Sequence, residues 1–321
     1  MRESIACGLT DSRSAFLYTP FVPALLEARN LTKHYGSTVA LDGVSFDVHE
    51  GVTGLLGPNG AGKSTAMKLF LGLIQPTSGS AMLLGEEPYR STEGRARIGY
   101  MPENDCLPKS MTASEFLMHM AQVSGIPPGQ ARTRAADVLR HVGLDEERYR
   151  PIGEYSTGMK QRVKLAQAIV HDPVLVLLDE PTAGLDPDGR QEMLRLIHRT
   201  ANTFGISVML STHLMGDVER TADSVIVLES GVLAQEGAVA KLTEETETLL
   251  IEVADRHEEF VTALAARGVQ TSDDGQLLII EQAREADYDL IRDAAVESGA
   301  RIRRLSPERR TLTDIFRSRP A

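Results

Sequence analysis

Gly57-Pro58-Asn59-Gly60-Ala61-Gly62-Lys63-Ser64-Thr65 decides the fold of this chain. It fits G-x-x-x-x-G-K-[ST] at every required position. The glycines let the backbone turn tightly and bring its N–H groups up to an anion. Lys63 is placed to reach the β- and γ-phosphates of a nucleotide, and the Ser64 hydroxyl to hold Mg²⁺. The flanks suit that chemistry. Val52 to Leu56 is a short apolar run and predicts a strand. Ala66, Met67, Leu69, Phe70, Leu73 and Ile74 predict a helix whose N-terminus faces the phosphates.

The bulk numbers narrow the field. With 321 residues, the chain suits one large domain and a small one, with a substantial core. Its net charge of −11 comes from 34 basic and 45 acidic residues. That argues against a general nucleic-acid binder and a polybasic membrane anchor. Two cysteines, Cys7 and Cys106, give neither a disulfide framework nor a metal-ligand spacing, and point to a reducing cytosol. No stretch approaches the roughly 18 consecutive apolar residues that a membrane span needs. Residues 1–24 lack a basic start followed by an apolar core, so they read as a disordered leader.

From Leu25 onward the pattern alternates. Ala24 to Leu31 and Val44 to Val48 predict antiparallel strands. After the phosphate loop and its helix, Pro76-Thr77-Ser78-Gly79 predicts a turn. Ala81 to Leu84 and Arg97 to Met101 predict strands; Thr112 to Val123 and Gln130 to Val142 predict helices. Met159 to Val170 has helical spacing, and Val174 to Leu178 has the unbroken apolar run of a strand buried on both faces. A helix over Gly189 to Thr203, a strand over Ile206 to Leu210 and a hairpin across Ser230-Gly231 complete an α/β unit with a mainly parallel sheet. The acidic run Thr243 to Glu247 reads as a boundary. Beyond it the pattern is strand, helix, strand, helix, strand: a small α+β domain. Its basic cluster, Arg301, Arg303, Arg304, Arg309 and Arg310, reads as a solvated face.

Val174 to Leu178 runs into Asp179-Glu180, the second anchor. A strand that ends in an acid puts a carboxylate at the carboxyl edge of the sheet, where nucleotides sit. Asp179 is then placed to hold Mg²⁺ opposite Ser64, and Glu180 to deprotonate a water attacking the γ-phosphate.

Tyr155-Ser156-Thr157-Gly158-Met159-Lys160-Gln161-Arg162 lies shortly before that strand. It resembles the signature motif, usually written LSGGQ, of ABC transporter nucleotide-binding subunits. Ser156 and Gly158 match; Tyr155, Thr157 and Met159 depart from the commonest letters in a form similar to exporter-type members. The resemblance covers residues from about 25 to 240. It implies a P-loop NTPase core with a mainly parallel sheet, an antiparallel β subdomain and a helical signature subdomain. It places Tyr35 against adenine and gives Ala183-Gly184-Leu185-Asp186 the part of a D-loop, with Asp186 at a dimer interface. His213, after Leu210-Ser211-Thr212, resembles the switch histidine that contacts the γ-phosphate. Glu103 stands where many members carry the Gln of the Q-loop, a residue that helps hold Mg²⁺. Glu can do the same while adding a charge.

The implied molecule is an ATP-hydrolysing subunit over residues 25–242, with ATP and Mg²⁺ as cofactors and an accessory domain over 243–321. Two copies would close head to tail on two ATP, the phosphate loop of one against Ser156 of the other. Their motion would drive a separate integral membrane permease from the cytoplasmic face, in the outward direction that the exporter-like signature implies. No direct nucleic-acid partner is expected. The rival reading is a soluble non-transport ABC ATPase, regulatory or associated with nucleic acid; the interval between Lys63 and Ser156 has no heptad run of the kind such proteins insert.

Overall fold

The computed structural model describes residues 24–273 and 277–313. The expected leader lies outside the described residues except for Ala24. The chain begins with β1 (Leu26–Tyr35) and β2 (Thr38–Val48), which pair antiparallel and run further than their apolar centres predict. Next come β3 (Val52–Leu56), α1 (Lys63–Phe70), β4 (Ser78–Leu83), α2 (Glu93–Ala96) and β5 (Ile98–Met101). Ser78 and Gly79 enter β4 instead of forming the expected turn. A helical segment comes after β5, with α3 (Ala113–Val123), α4 (Pro128–His141) and α5 (Thr157–Ile169). Helix α3 starts where Thr112 and Glu115 cap each other reciprocally.

The alternation then resumes: β6 (Leu175–Asp179), α6 (Pro187–Phe204), β7 (Ser207–Thr212), α7 (Met215–Thr221), β8 (Ser224–Glu229), β9 (Val232–Ala238) and α8 (Val239–Leu242). Last come β10 (Glu245–Val253), α9 (His257–Ala266), β11 (Ser272–Asp273), β12 (Leu277–Ile280), α10 (Glu285–Ser298) and β13 (Ile302–Arg309). Strand β10 begins inside the acidic run that sequence reads as a boundary. Glu245 faces Arg309 across the ladder, 3.1 Å apart, with both side chains exposed.

Three sheets organise these elements. The central one has the order β5-β6-β7-β3-β8-β9, parallel except for the β8–β9 hairpin. Its strands β3, β6 and β7 are buried along their whole length, which is why their apolar runs do not alternate. An antiparallel sheet, β2-β1-β4, packs with α1 on one side of it: Leu26, Phe46, Phe70 and Leu83 share a cluster with Leu55 and Leu177. Helices α3, α4 and α5 pack with the other side, where Leu117, Leu139 and Val163 join Val176 and Leu210. The last sheet, β11-β12-β10-β13, carries α9 and α10 in the βαββαβ order and holds its own cluster around Phe260, Leu264, Leu278 and Ile291. Leu312, beyond β13, instead sits among Leu56, Val218, Val225 and Val239, and its N–H donates to Glu219 Oε1 at 2.5 Å. Among the described residues, no helix is long and apolar enough to cross a membrane.

Candidate functional site

Strands β5, β6, β7 and β3 are neighbours, run parallel and end at one sheet edge. The residues at and just past those ends make the site. Glu103 comes after β5, Asp179-Glu180 closes β6, His213 comes after β7 and the phosphate loop after β3. Four segments distant in sequence therefore meet because their strands pair in register, Asp179 opposite Ser211 and Leu56 opposite Thr212.

The loop's shape depends on its glycines. Gly62, the residue before α1, has φ of 102°, and a Cβ there would come within 2.6 Å of the Ala40 carbonyl. Only glycine meets both demands. Lys63 is the first helical residue and is nearly buried. Its Nζ donates to the carbonyls of Gly57 at 2.7 Å and Pro58 at 3.2 Å, and stands 3.5 Å from Glu180 Oε1. Loop residues 59–65, Ala40, Glu103 and Glu180 line a cleft of about 310 Å³. This gathers Asn59, Gly60, Ala61, Gly62, Lys63, Ser64, Thr65, Glu103 and Glu180 around one space, with oxygen donors and a cation facing it.

The acids below the cleft are tightly held. Asp179 is buried, and its Oδ1 accepts from Ser211 Oγ at 2.6 Å and Ser64 Oγ at 3.4 Å. Glu180 has φ of 47°, a left-handed conformation that costs a non-glycine residue energy and recurs at functional positions. Two bonds hold it there: its N–H donates to the Ser211 carbonyl at 3.2 Å and to Ser211 Oγ at 3.1 Å. The Glu180 carboxylate lies 3.1 Å from His213 Nδ1. One acid thus touches both the loop lysine and the histidine. Beside them, burial first and then the Asp179 charge push the Tyr100 phenol up to about 12, so it stays a neutral hydroxyl at working pH.

Other expected residues lie apart from this cleft. Tyr35 ends β1 as a residue 46% exposed, and Lys33 Nζ is 5.2 Å from its ring centre. Ser156 caps α5, its Oγ accepting from the Met159 N–H at 3.3 Å. Asp186 caps α6 in the same way through Gly189 N–H at 2.9 Å. Both are exposed side chains doing helix-capping work within their own chain. Signature and D-loop nonetheless pack together: Gln161 Nε2 donates to the Ala183 carbonyl at 3.0 Å, and Leu185 is the neighbour nearest to where a Cβ on Gly158 would project.

Comparison with known proteins agrees with this geometry. Residues 41–183 match the model of the ABC transporter family. The chain is 38% identical over 225 residues to YxlF, an ABC transporter ATP-binding protein of Bacillus subtilis, covering 70% of this chain and 74% of that one. The chain belongs to the ABC transporter ATP-binding proteins. It is also 40% identical to the Nod factor export ATP-binding protein I of Burkholderia orbicola, over 69% of this chain and 73% of the relative. Against the bacitracin transport ATP-binding protein BcrA of Bacillus licheniformis the identity is 39%, over 66% and 69%. Among solved structures, CbiO1 of Clostridium perfringens, part of an ABC transporter complex, superposes with a TM-score of 0.62 at 30% identity, covering 68% of this chain and 90% of that one. The dimeric cassette MJ0796 superposes at 0.61 and 24% identity, over 67% and 98%, and speaks to the fold alone.

As an ABC ATPase, the chain binds ATP at its cassette. Two residues that brace the candidate site escape sequence reading. Ser211 serves there only as context for His213, yet its hydroxyl and carbonyl fix both Asp179 and Glu180. A serine at a strand end carries no signal until the neighbouring strand is known. Thr182 Oγ1 donates to Asp217 Oδ2 at 2.9 Å, tying the segment after Glu180 to α7. Asp217 is buried, and desolvation pushes its carboxyl above the ordinary aspartate range.

Proposed function

We propose that this chain is the motor of an export-type ABC transporter, a homodimer acting on a separate membrane permease at the cytoplasmic face. The observation that carries the reading is Glu180 held against both Lys63 and His213 at the edge of the phosphate cleft. Lys63 would turn its ammonium from the loop carbonyls to the β- and γ-phosphates. Glu180 would take the proton of the water that attacks the γ-phosphate. His213 would orient that carboxylate and contact the γ-phosphate. Tyr35 would stack on adenine, an arrangement its exposure permits.

The donor set suits a hard cation. Ser64 and Asp179 bring oxygen atoms within 3.4 Å of each other, and Glu103 lines the same cleft. These three would hold Mg²⁺ with help from phosphate oxygens, in keeping with its taste for few protein ligands. When bound, the ion would neutralise charge on the phosphates.

Ser156, Gly158 and Asp186 would act across the dimer, on ATP held by the other copy. Their separation from the cleft within one chain supports that division. A relative named for Nod factor export supports an outward direction. The test is Glu180→Gln. It should keep ATP binding, lose about 10²–10⁴-fold in hydrolysis and accumulate as an ATP-bound dimer in gel filtration. Full turnover in that variant would remove Glu180 from the role of base.

A further inference from the structure

Helix α5 and strand β5 lie side by side in opposite directions. Their spacing is close: a Cβ on Gly99 would fall 1.9 Å from the Ala168 carbonyl, so glycine is required there. Moving forward from Gly99 to Glu103 is moving backward on α5 from Ala168 to Lys164. Strand β5 and the bend after it carry the chain past that helical turn, and the long lysine side chain spans the difference. Lys164 Nζ reaches the Glu103 carbonyl at 2.9 Å.

Lys164 is 3% exposed, which is rare for a lysine. Taking an ammonium out of water costs free energy, and burial lowers its affinity for a proton. Acting against this cost are Cys106, in its ionised form only, and the carboxylates of Asp105, Glu103 and Asp179. Two of those acids belong to the nucleotide site, and neither the phosphate loop nor the base uses Lys164. It also sits on the helix that Ser156 caps.

We propose that Lys164 is a positioning residue of the ATP site: its ammonium, placed by the bond to the Glu103 carbonyl, balances the extra negative charge of Glu in place of Gln. Without it, the charge of Glu103 would lose this cation, and the Glu103 carboxylate would move out of the cleft. The inference rests on the reading of Glu103 as a nucleotide-site residue.

The test is a double-mutant cycle in the full chain, read by steady-state ATP hydrolysis. Lys164→Met keeps the volume, and a buried charge replaced by an apolar side chain commonly leaves a protein folded. It should lower kcat by about 10-fold to 100-fold with KM for ATP nearly unchanged, the mark of misplacement. In the Glu103→Gln background the same substitution should cost less than about threefold, because the charge it balanced is gone. An equal loss in both backgrounds would overturn the proposal and leave Lys164 a packing residue. Should Lys164→Met not fold, Lys164→Gln keeps a donor and removes the charge; wild-type kcat in it would equally overturn the proposal. Glu103→Ala separates the two readings. Unchanged hydrolysis there removes Glu103 from the site, whereas a loss there beside an intact Lys164→Met refutes only the inference.

Discussion

The two halves of the proposed ATP site are built differently. Around Asp179 and Glu180 the polar groups are buried and partnered within one chain, with Ser211 bonded to both acids. Ser156 and Asp186 are exposed, and their side chains close the ends of their own helices. The first half is fixed before any partner arrives. The second is surface, held rigid by its caps and presented outward. Catalytic groups that must act within a fraction of an ångström gain from the buried arrangement, and groups that must dock and release gain from the exposed one.

The largest test of this contrast is Lys63→Ala. It removes the cation aimed at the phosphates, and with it charge-assisted bonds each worth about 1.5–3 kcal/mol. Affinity for Mg-ATP in isothermal titration should fall at least about 100-fold. Unchanged affinity would take Lys63 out of the site.

Next comes complementation between the halves. Lys63→Ala and Ser156→Arg should each silence a homodimer. Mixed dimers place both lesions in one composite site and leave the other whole, so some hydrolysis should return. Crosslinks from Ser156 to ATP that stay within one chain would defeat the head-to-tail arrangement.

Ser211→Ala should be milder. Asp179 and the Glu180 N–H lose the hydroxyl, but the Ser211 carbonyl still holds the backbone. We expect kcat to fall about 10-fold with little change in ATP affinity. A matching drop in affinity would mean that Ser211 shapes the phosphate loop rather than the acids.

The smallest effect is on stability. Because the folded protein holds the Asp217 proton more tightly than the unfolded chain, stability is full below the ordinary aspartate value. It declines as pH rises through the elevated folded value. Asp217→Asn keeps an acceptor for Thr182 and removes the titration. It should stabilise the protein near pH 7 by about 1 kcal/mol or less and flatten the pH dependence of thermal unfolding above about pH 4. A lower melting temperature at pH 7 would show that the charge, not the hydrogen bond alone, is wanted there.

The phosphate loop is legible in sequence because a backbone that wraps an anion restricts the residue types allowed, as Gly62 illustrates with its φ of 102°. The same holds for β3, β6 and β7, whose burial on both faces leaves unbroken apolar runs. Partners that meet only through sheet order are not legible. Ser211 is bonded to Glu180 from 31 residues away, and Lys164 reaches Glu103 across 61. Short elements escape too. Helix α7 spans seven residues and β11 two, below the length at which periodicity is visible. The acidic run gives no strand signal for the start of β10, because its partner, Arg309, lies 64 residues away.

Leu312 gives the small C-terminal sheet a hold on the cassette. Its side chain is buried against Val218 of α7, the helix that starts two residues after His213, and Glu219 of the same helix binds its N–H. Withdrawing a buried leucine exposes apolar area worth about 1.5–3 kcal/mol. Leverage of that size works in both directions. Pulling Leu312 out of that cluster would strip a contact from α7, and moving α7 would disturb the seat of Leu312. The segment beyond β13 thus rests on the helix that follows His213.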